Sequence, residues 1–216
     1  MRSAILYSGI SYQHYFLNRN NGKYKNRFDD IIYVMDLHET ELQSYDYVVV
    51  PTRLNQDILL EHAGKFEDYL HGGGHLISFG DFERSWISHV RWKFYPTNFH
   101  WWVNPGADLP LYPVDPEHPL FQRITVDDAK WHYHGVFLPH DRVERILVNE
   151  IGEAIIYVDR LSYRGHLYMT TLDPDYHLGQ GFIPKAETFL DGYLAWIEED
   201  IARSRQGETN KDKEAS

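Results

Sequence analysis

Three side chains capable of acid–base chemistry follow predicted strands: Asp81, Asp175 and His177. Asp81 stands in a Gly-Asp turn directly after the apolar run 75–79, at the place where α/β proteins present a nucleophile. Asp175 and His177 follow the last predicted strand. Because imidazole titrates near neutrality and a carboxylate can fix its tautomer, His177 could act as an acid–base group paired with either Asp173 or Asp175. We therefore take these three residues as candidate catalytic groups.

Each of these groups also has a purely structural interpretation. Asp81 can cap a helix that begins near Phe82. His177 can be a surface loop histidine, and Asp173-Pro174-Asp175 can be an Asp-initiated turn. The chain has no cysteine, which excludes a thiolate nucleophile, and a carboxylate is a weak nucleophile unless the leaving group is good.

Polar residues that could bind a ligand also follow the predicted strands. The carboxyl ends of parallel strands meet at one edge of a sheet, and ligands bind there. The predicted ligand-binding residues are Ser8, Gly9, Tyr12, His14, Arg53, Arg84 and Asp173, with His100 and Trp101 from an aromatic stretch. The arginines could clamp an anionic group, and the flat rings could stack on a sugar. The alternatives are surface ion pairs for the arginines and a lid or dimer interface for the aromatic residues.

His132 and His134 form a His-x-His pair that would lie on one face of a strand. Such a pair can supply two imidazoles to zinc or iron, with carboxylates completing the site. Nothing in the sequence fixes a third ligand, and the chain has 13 histidines. We therefore predict no metal and no cofactor, and keep this pair as the alternative.

The elements that would position these groups form a strand–helix–strand unit. Residues 47–50 are a continuous apolar run, an amphipathic helix starts at Asn55, three glycines end it at 72–74, and residues 75–79 form the next strand. A crossover of this length predicts a right-handed βαβ unit and a parallel sheet. Further strands are predicted at 4–7, 31–35, 145–148, 154–158 and 165–171, with a hairpin turn at 159–164 and a last helix at 184–199.

The charge and the apolar content of the chain limit the kinds of molecule that it could bind. The formal net charge of −11 argues against nucleic acid, and no apolar run is long enough to span a bilayer. The N-terminus lacks the apolar core of a signal peptide, so we expect a cytoplasmic protein. We predict one domain at 1–202, with an irregular aromatic excursion at 82–119, and a disordered charged tail at 203–216.

Two stretches resemble the class I glutamine amidotransferase-like superfamily. Residues 45–51, which read YDYVVVP, and 71–77, which read HGGGHLI, are similar to its ThuA-like trehalose-utilisation proteins and to the amidotransferase-like domain of some β-galactosidases. Residues 165–172, the loop 173–177 and His118-Pro119-Leu120 also resemble ThuA-like chains. The resemblance implies a flavodoxin-like three-layer αβα sandwich, with a mostly parallel sheet and an antiparallel edge hairpin.

The departures from this family matter as much as the likeness. Asp81 occupies the position where the resemblance implies a catalytic cysteine, and the C-terminal loop lacks the expected His-Pro-Glu, so glutamine hydrolysis through a thioester is excluded. We predict a domain without amidotransferase activity that binds a small polar ligand, such as a carbohydrate, or a protein partner. The alternative is an Asp/His acid–base hydrolase or isomerase acting on a sugar-related substrate. By analogy with this fold, the chain could form a homodimer.

Overall fold

The fold is built on one ten-stranded sheet flanked by helices. The computed structural model describes residues 1–97 and 99–214, with side chains as far as Gln206. Five strands run parallel in the order β2-β1-β3-β4-β10. Their bounds are Ser3–Tyr7 for β1, Asp30–Tyr33 for β2, Tyr47–Val50 for β3, His75–Phe79 for β4 and Leu167–Thr170 for β10.

The other half of the sheet is antiparallel. Strand β9 (Ala154–Asp159) pairs antiparallel with β10, which confirms the predicted hairpin, but the two strands lie inside the sheet rather than at its edge. The turn between them is fixed by the carboxylate of Asp159, which accepts hydrogen bonds from the backbone N–H groups of Leu161 and Ser162. The antiparallel part extends further than the hairpin, through β7 (Gly135–Phe137), β8 (Glu144–Asn149), β5 (Trp92–Phe94) and β6 (Leu111–Pro113).

Helices cover both faces of the sheet, and together they give the predicted flavodoxin-like αβα class. Alternate residues of β3 pack on opposite faces of the sheet. Tyr47 and Val49 belong to the buried cluster on the first face, and Val48 and Val50 belong to the cluster on the second. Helices α1 (Ser11–Gly22), α4 (Pro174–Gln180) and α5 (Lys185–Glu214) pack on the first face. Helices α2 (Gln56–Glu61) and α3 (Ala63–His71) pack on the second. In the part of the chain that the structure describes, no helix is long and apolar enough to cross a membrane.

Several predicted elements differ in detail from the structure. Asn55 caps the predicted crossover helix by accepting from the N–H of Asp57, but the helix is divided at His62 into α2 and α3. The sequence interpretation of 173–175 as a turn omitted α4. The last helix continues beyond Arg203, where we had placed the start of the tail, and the side chains of 207–216 lie outside the described ones.

A tight turn joins the end of β4 to Asp81. Gly80 has φ +78°, and its N–H donates to the carbonyl groups of Thr170 and Leu172, which ties the turn to the end of β10. A Cβ atom added at Gly80 would lie only 2.7 Å from the Cβ of Thr52. The absence of a side chain here therefore lets the loops after β3 and β4 approach each other.

We expect Gly80→Ala to destabilise the fold by about 2–4 kcal/mol, from the left-handed backbone and from overpacking against Thr52. Gly106→Ala is a matched control, because Gly106 also has φ +78° but has no atom within 4 Å of the added Cβ. Gly106→Ala should lose only the stability that the left-handed backbone conformation costs, about 1–2 kcal/mol. Urea denaturation of both variants measures the difference. Equal losses would show that the Thr52 contact is unimportant.

Candidate functional site

The centre of the candidate site is a carboxylate–imidazole pair on helix α4. Asp173 precedes the helix and Pro174 occupies its first turn, where proline is well tolerated. Asp173 and His177 are four residues apart and therefore share one helix face. The Nε2 atom of His177 lies 3.1 Å from Oδ1 of Asp173, and the two side chains are 0% and 4% exposed. The structure thus pairs His177 with Asp173, whereas the sequence analysis had proposed either Asp173 or Asp175.

Two further groups approach the carboxylate of Asp173. The indole Nε1 of Trp131 donates a hydrogen bond to Oδ1 at 3.2 Å. The guanidinium of Arg53 lies 4.0 Å from Oδ2 and also covers the ring of Tyr176 at 4.0 Å. The sequence analysis placed Arg53 here but missed Trp131. The one signal for Trp131 was its position next to the His-x-His pair.

His132 and His134 are neighbours, as predicted, but face different carboxylates. Their ring centroids are 5.5 Å apart, although β7 begins only after them at Gly135. The ring of His132 lies 4.8 Å from that of His177, while Nδ1 of His134 lies 3.9 Å from Oδ2 of Asp81. The hydroxyl of Thr171 donates to the carbonyl of Gly135, which fixes this segment beside the end of β10.

Several buried polar atoms of the site have no hydrogen-bond partner among the described residues. They are Nδ1 of His132, Nε2 of His134, Oδ2 of Asp173 and both ring nitrogens of His177. Buried polar atoms in folded proteins are usually hydrogen-bonded, so a group of exceptions in one place indicates a binding site. Burial lowers the pKa of His132 to about 4, partly opposed by the negative charge of Asp173, and the imidazole is therefore neutral at pH 7.

Asp175 lies beneath the site and serves as an anchor. Its Oδ2 accepts a hydrogen bond from the N–H of Thr52 at 3.2 Å, and the hydroxyl of Tyr12 donates to the carbonyl of Thr52. Asp175 is fully buried, and burial, reinforced by the charge of Asp173, raises its pKa to about 8. At pH 7 Asp175 is therefore mostly a neutral carboxylic acid, which holds α4 against the loop after β3.

Asp81 forms part of the wall of an open cleft of about 400 Å³. The polar residues of that cleft are Arg53, Asn55, Gln56, Asp57, Asp81, Glu83 and Arg84. In the described stretch 80–91 no helix begins, so Asp81 does not cap one. Burial raises the pKa of Asp81, the charge of Asp173 adds to this effect, and His134 opposes it. Asp81 therefore takes up a proton more readily than an exposed aspartate.

The remaining predicted ligand-binding residues are distributed around this centre. Ser8 donates to the side chain of Gln13 from both its N–H and its hydroxyl, while Gly9 has φ +82° and His14 is exposed. Trp101 donates from its indole to the carbonyl of Trp131, and His100 packs edge-on against Trp102.

Arg84 also lines the cleft, where it pairs with Asp57 at 3.2 Å. The centre of the site is therefore formed by Arg53, Asp81 and Asp173 together with the three histidines.

The aromatic excursion covers part of this centre. The ring of Phe99 lies 4.6 Å from that of His132 and 4.9 Å from that of His134. On the other side, the ring of Phe182 lies 4.8 Å from that of His177. Apolar rings therefore flank the histidines and limit the access of water to them.

Comparisons with known proteins give similarity to solved structures alone. No protein-family model and no curated protein matches the sequence. An exo-β-1,4-mannosidase from Opitutaceae bacterium strain TAV5 has 10% identity and a TM-score of 0.48, over 91% of this chain and 35% of that one. A glutamine amidotransferase from Thermotoga maritima has 11% identity and a TM-score of 0.47, over 93% and 85% of the two chains.

A GH42 β-galactosidase has 11% identity and a TM-score of 0.46, and its match covers 92% of this chain and 30% of that one. The present chain thus spans about a third of the length of both glycosidases. At such low identities and with TM-scores below 0.5, these similarities concern the fold at most. They imply no activity, substrate or residue role for this chain.

The protonation of Asp175 should make stability depend on pH. The folded state keeps this proton up to a pH of about 8, whereas the unfolded chain releases it near pH 4. The folded state binds more protons between these values, so the free energy of unfolding falls as pH rises. Between pH 5 and 8.5, the Tm of the wild type should fall by roughly 3–6 °C more than the Tm of Asp175→Asn, which corresponds to a free energy on the order of 1–2 kcal/mol.

Asp29→Asn is the control, since Asp29 also accepts a hydrogen bond from a backbone N–H, that of Ser3. Hydrogen bonds from the N–H and the hydroxyl of Ser3 lower the pKa of Asp29. This group is ionised in both states above pH 5, so its variant should lower Tm nearly equally across the range. A Tm curve for Asp175→Asn that runs parallel to that of the wild type would contradict the assignment.

Proposed function

We propose that this chain is an enzyme that performs acid–base chemistry on a small polar substrate bound in the cleft beside Asp81. The observation that carries this proposal is the Asp81–His134 pair, whose carboxylate and imidazole are 3.9 Å apart and both partly exposed. This separation exceeds a hydrogen bond and leaves both groups available to a third molecule. The proposal does not depend on the amidotransferase resemblance.

The two groups would have complementary roles. The raised pKa of Asp81 brings its proton closer to the pH range in which general acids work best. His134 has a buried Nε2 atom without a hydrogen-bond partner among the described residues, and an imidazole can both accept and return a proton. The negative charge of Asp173 also favours the protonated form of Asp81, which suits a general acid.

The chemistry of the cleft favours a substrate rich in hydroxyl or acidic groups. Arg53 and Arg84 supply guanidinium donors, while Asn55 and Gln56 place amide groups in the same cleft. The side chain of Gln56 also accepts from the N–H of Arg84 and donates to the carbonyl of Asp81, which fixes the cleft wall. A sugar-related compound suits these donors and acceptors, and hydrolysis or isomerisation are reactions that one acid–base pair can assist.

A second candidate function is association through the aromatic excursion. Five apolar residues of this segment are exposed, including Phe94 at 66% and Trp102 at 47%; the others are Val103, Tyr112 and Val114. Exposed apolar residues mark an interaction surface where they form one patch. If the excursion binds a second copy of the chain, sedimentation should show a dimer that Trp102→Ser weakens.

We expect Asp81→Asn and His134→Gln to reduce kcat/KM by about 100- to 10,000-fold, which is the usual contribution of a general acid or base. The assay is a screen of nitrophenyl glycosides, with NMR detection of aldose and ketose interconversion, and the variants are compared on whichever substrate is turned over.

The matched control is Asp57→Asn, which removes a carboxylate from the same cleft but from an exposed pair with Arg84. Its kcat/KM should change by less than about fivefold, since exposed ion pairs contribute little. Full activity in Asp81→Asn would refute the proposed role of that residue.

A further inference from the structure

We propose that His132, Asp173 and His177 form a binding site for one divalent transition metal ion. This site is distinct from the Asp81–His134 pair, and the observations that support it do not depend on the acid–base role proposed for that pair. Each of the three residues offers one ligand atom, and these atoms all lie within 4.8 Å of one another. Two imidazoles and one carboxylate with open positions are the donor set of catalytic zinc and of non-haem iron(II).

The geometry is close to that of a bound ion. Ligand atoms at about 2.0–2.1 Å from a tetrahedral metal are about 3.4 Å apart. Nε2 of His177 and Oδ1 of Asp173 are already 3.1 Å apart. His132 would need to move by roughly 1 Å to complete this arrangement. Its buried Nδ1 has no hydrogen-bond partner among the described residues, so no bond on that side opposes the movement.

Unsatisfied ligand atoms separate this cluster from the histidine–carboxylate pairs at His118 and His140. In the pair His140–Asp159, the imidazole contacts Asp159 and the hydroxyl of Ser162, while its Nδ1 accepts from the N–H of Arg142. His118 behaves similarly, with Nε2 3.2 Å from Glu144 and Nδ1 accepting from the N–H of Leu120.

By contrast, Nε2 of His177 stands 3.1 Å from Oδ1 of Asp173 without the geometry of a hydrogen bond. Nδ1 of His177 and Oδ2 of Asp173 also lack hydrogen bonds among the described residues. Contacts within the protein therefore satisfy the ring nitrogens of His118 and His140, but they leave polar atoms of the cluster around His177 without partners. A positive ion in contact with these atoms would satisfy them.

The surroundings also support a metal. Trp131 donates to Oδ1 of Asp173 and orients the carboxylate, as outer-shell partners do in metal sites. Arg53 now stands 4.0 Å from Oδ2, but its side chain is 42% exposed, so it can withdraw toward solvent when a cation neutralises Asp173. The rings of Phe99 and Phe182 pack against His132 and His177 and limit competition from water.

The test is metal binding by the full, untagged chain after treatment with a chelator, titrated separately with Zn²⁺, Co²⁺, Mn²⁺ and anaerobic Fe²⁺. We expect one equivalent to remain after dialysis for at least one of these ions, and visible d–d absorption of bound Co²⁺. His132→Gln and His177→Gln should each weaken this binding by about 100-fold or more, since even outer-shell changes cost 10- to 100-fold.

His140→Gln, which alters the fully hydrogen-bonded pair, should bind metal like the wild type. If His177→Gln does not fold, His132→Gln still decides the question, because Nδ1 of His132 makes no hydrogen bond whose loss would unfold the protein. No stoichiometric binding of any of the four ions by the wild type would overturn the proposal. Unchanged binding in both cluster variants would also overturn it.

Asp81→Asn separates this proposal from the proposed acid–base function. It should lose activity but retain the metal. Retained metal with full activity would refute the acid–base assignment alone, whereas absence of metal from an active wild-type protein would refute the metal site alone.

Discussion

The arrangement of the site depends on one constraint, the burial of the carboxylate of Asp173 at the end of the central strand β10. A buried charge is costly unless opposite charges and hydrogen bonds compensate it. Asp173 is 4% exposed, and its compensation comes from separate parts of the chain. Arg53 follows β3, Trp131 precedes β7 and His177 lies on α4. The same requirement therefore brings together residues that lie far apart in sequence.

The neighbouring Asp175 shows how the fold limits the number of buried charges. Two carboxylates two residues apart cannot both be ionised cheaply in an interior. Burial and the charge of Asp173 raise the pKa of Asp175, which accordingly remains protonated at neutral pH. The two residues thus divide their roles: Asp173 faces the histidines with its charge, whereas Asp175 makes a neutral contact with the backbone of Thr52.

Much of the frame of the site could be predicted from sequence. Continuous apolar runs at β3 and β4 and the glycines between them predict a parallel unit, and this unit places Arg53 and Asp81 at one edge of the sheet. The pairings within the site could not be predicted, because they depend on contacts between distant segments. The Asp-Pro sequence at 173–174 starts a helix as well as it starts a turn, and only the helix places His177 beside Asp173.

His132 and His134 illustrate the same limit. Their spacing correctly indicated neighbouring rings, but which carboxylate each one faces depends on how the segment before β7 crosses the end of β10. Trp131, adjacent to them, has no polar pattern that would indicate a hydrogen bond to an aspartate 42 residues away.

The hydrogen bonds around Thr52 have a consequence for ligand exchange. Tyr12 and Asp175 hold the backbone of Thr52 from two helices, so the floor of the site is fixed to α1 and α4. Phe99, on the opposite side, contacts the histidines through its ring, in a segment without long regular elements. Displacement of the Phe99 ring would therefore uncover His132 and His134 while the sheet and the backbone of Thr52 stay in place. We expect the exchange of a molecule bound at these histidines to depend on movement of that ring rather than on any opening of the sheet.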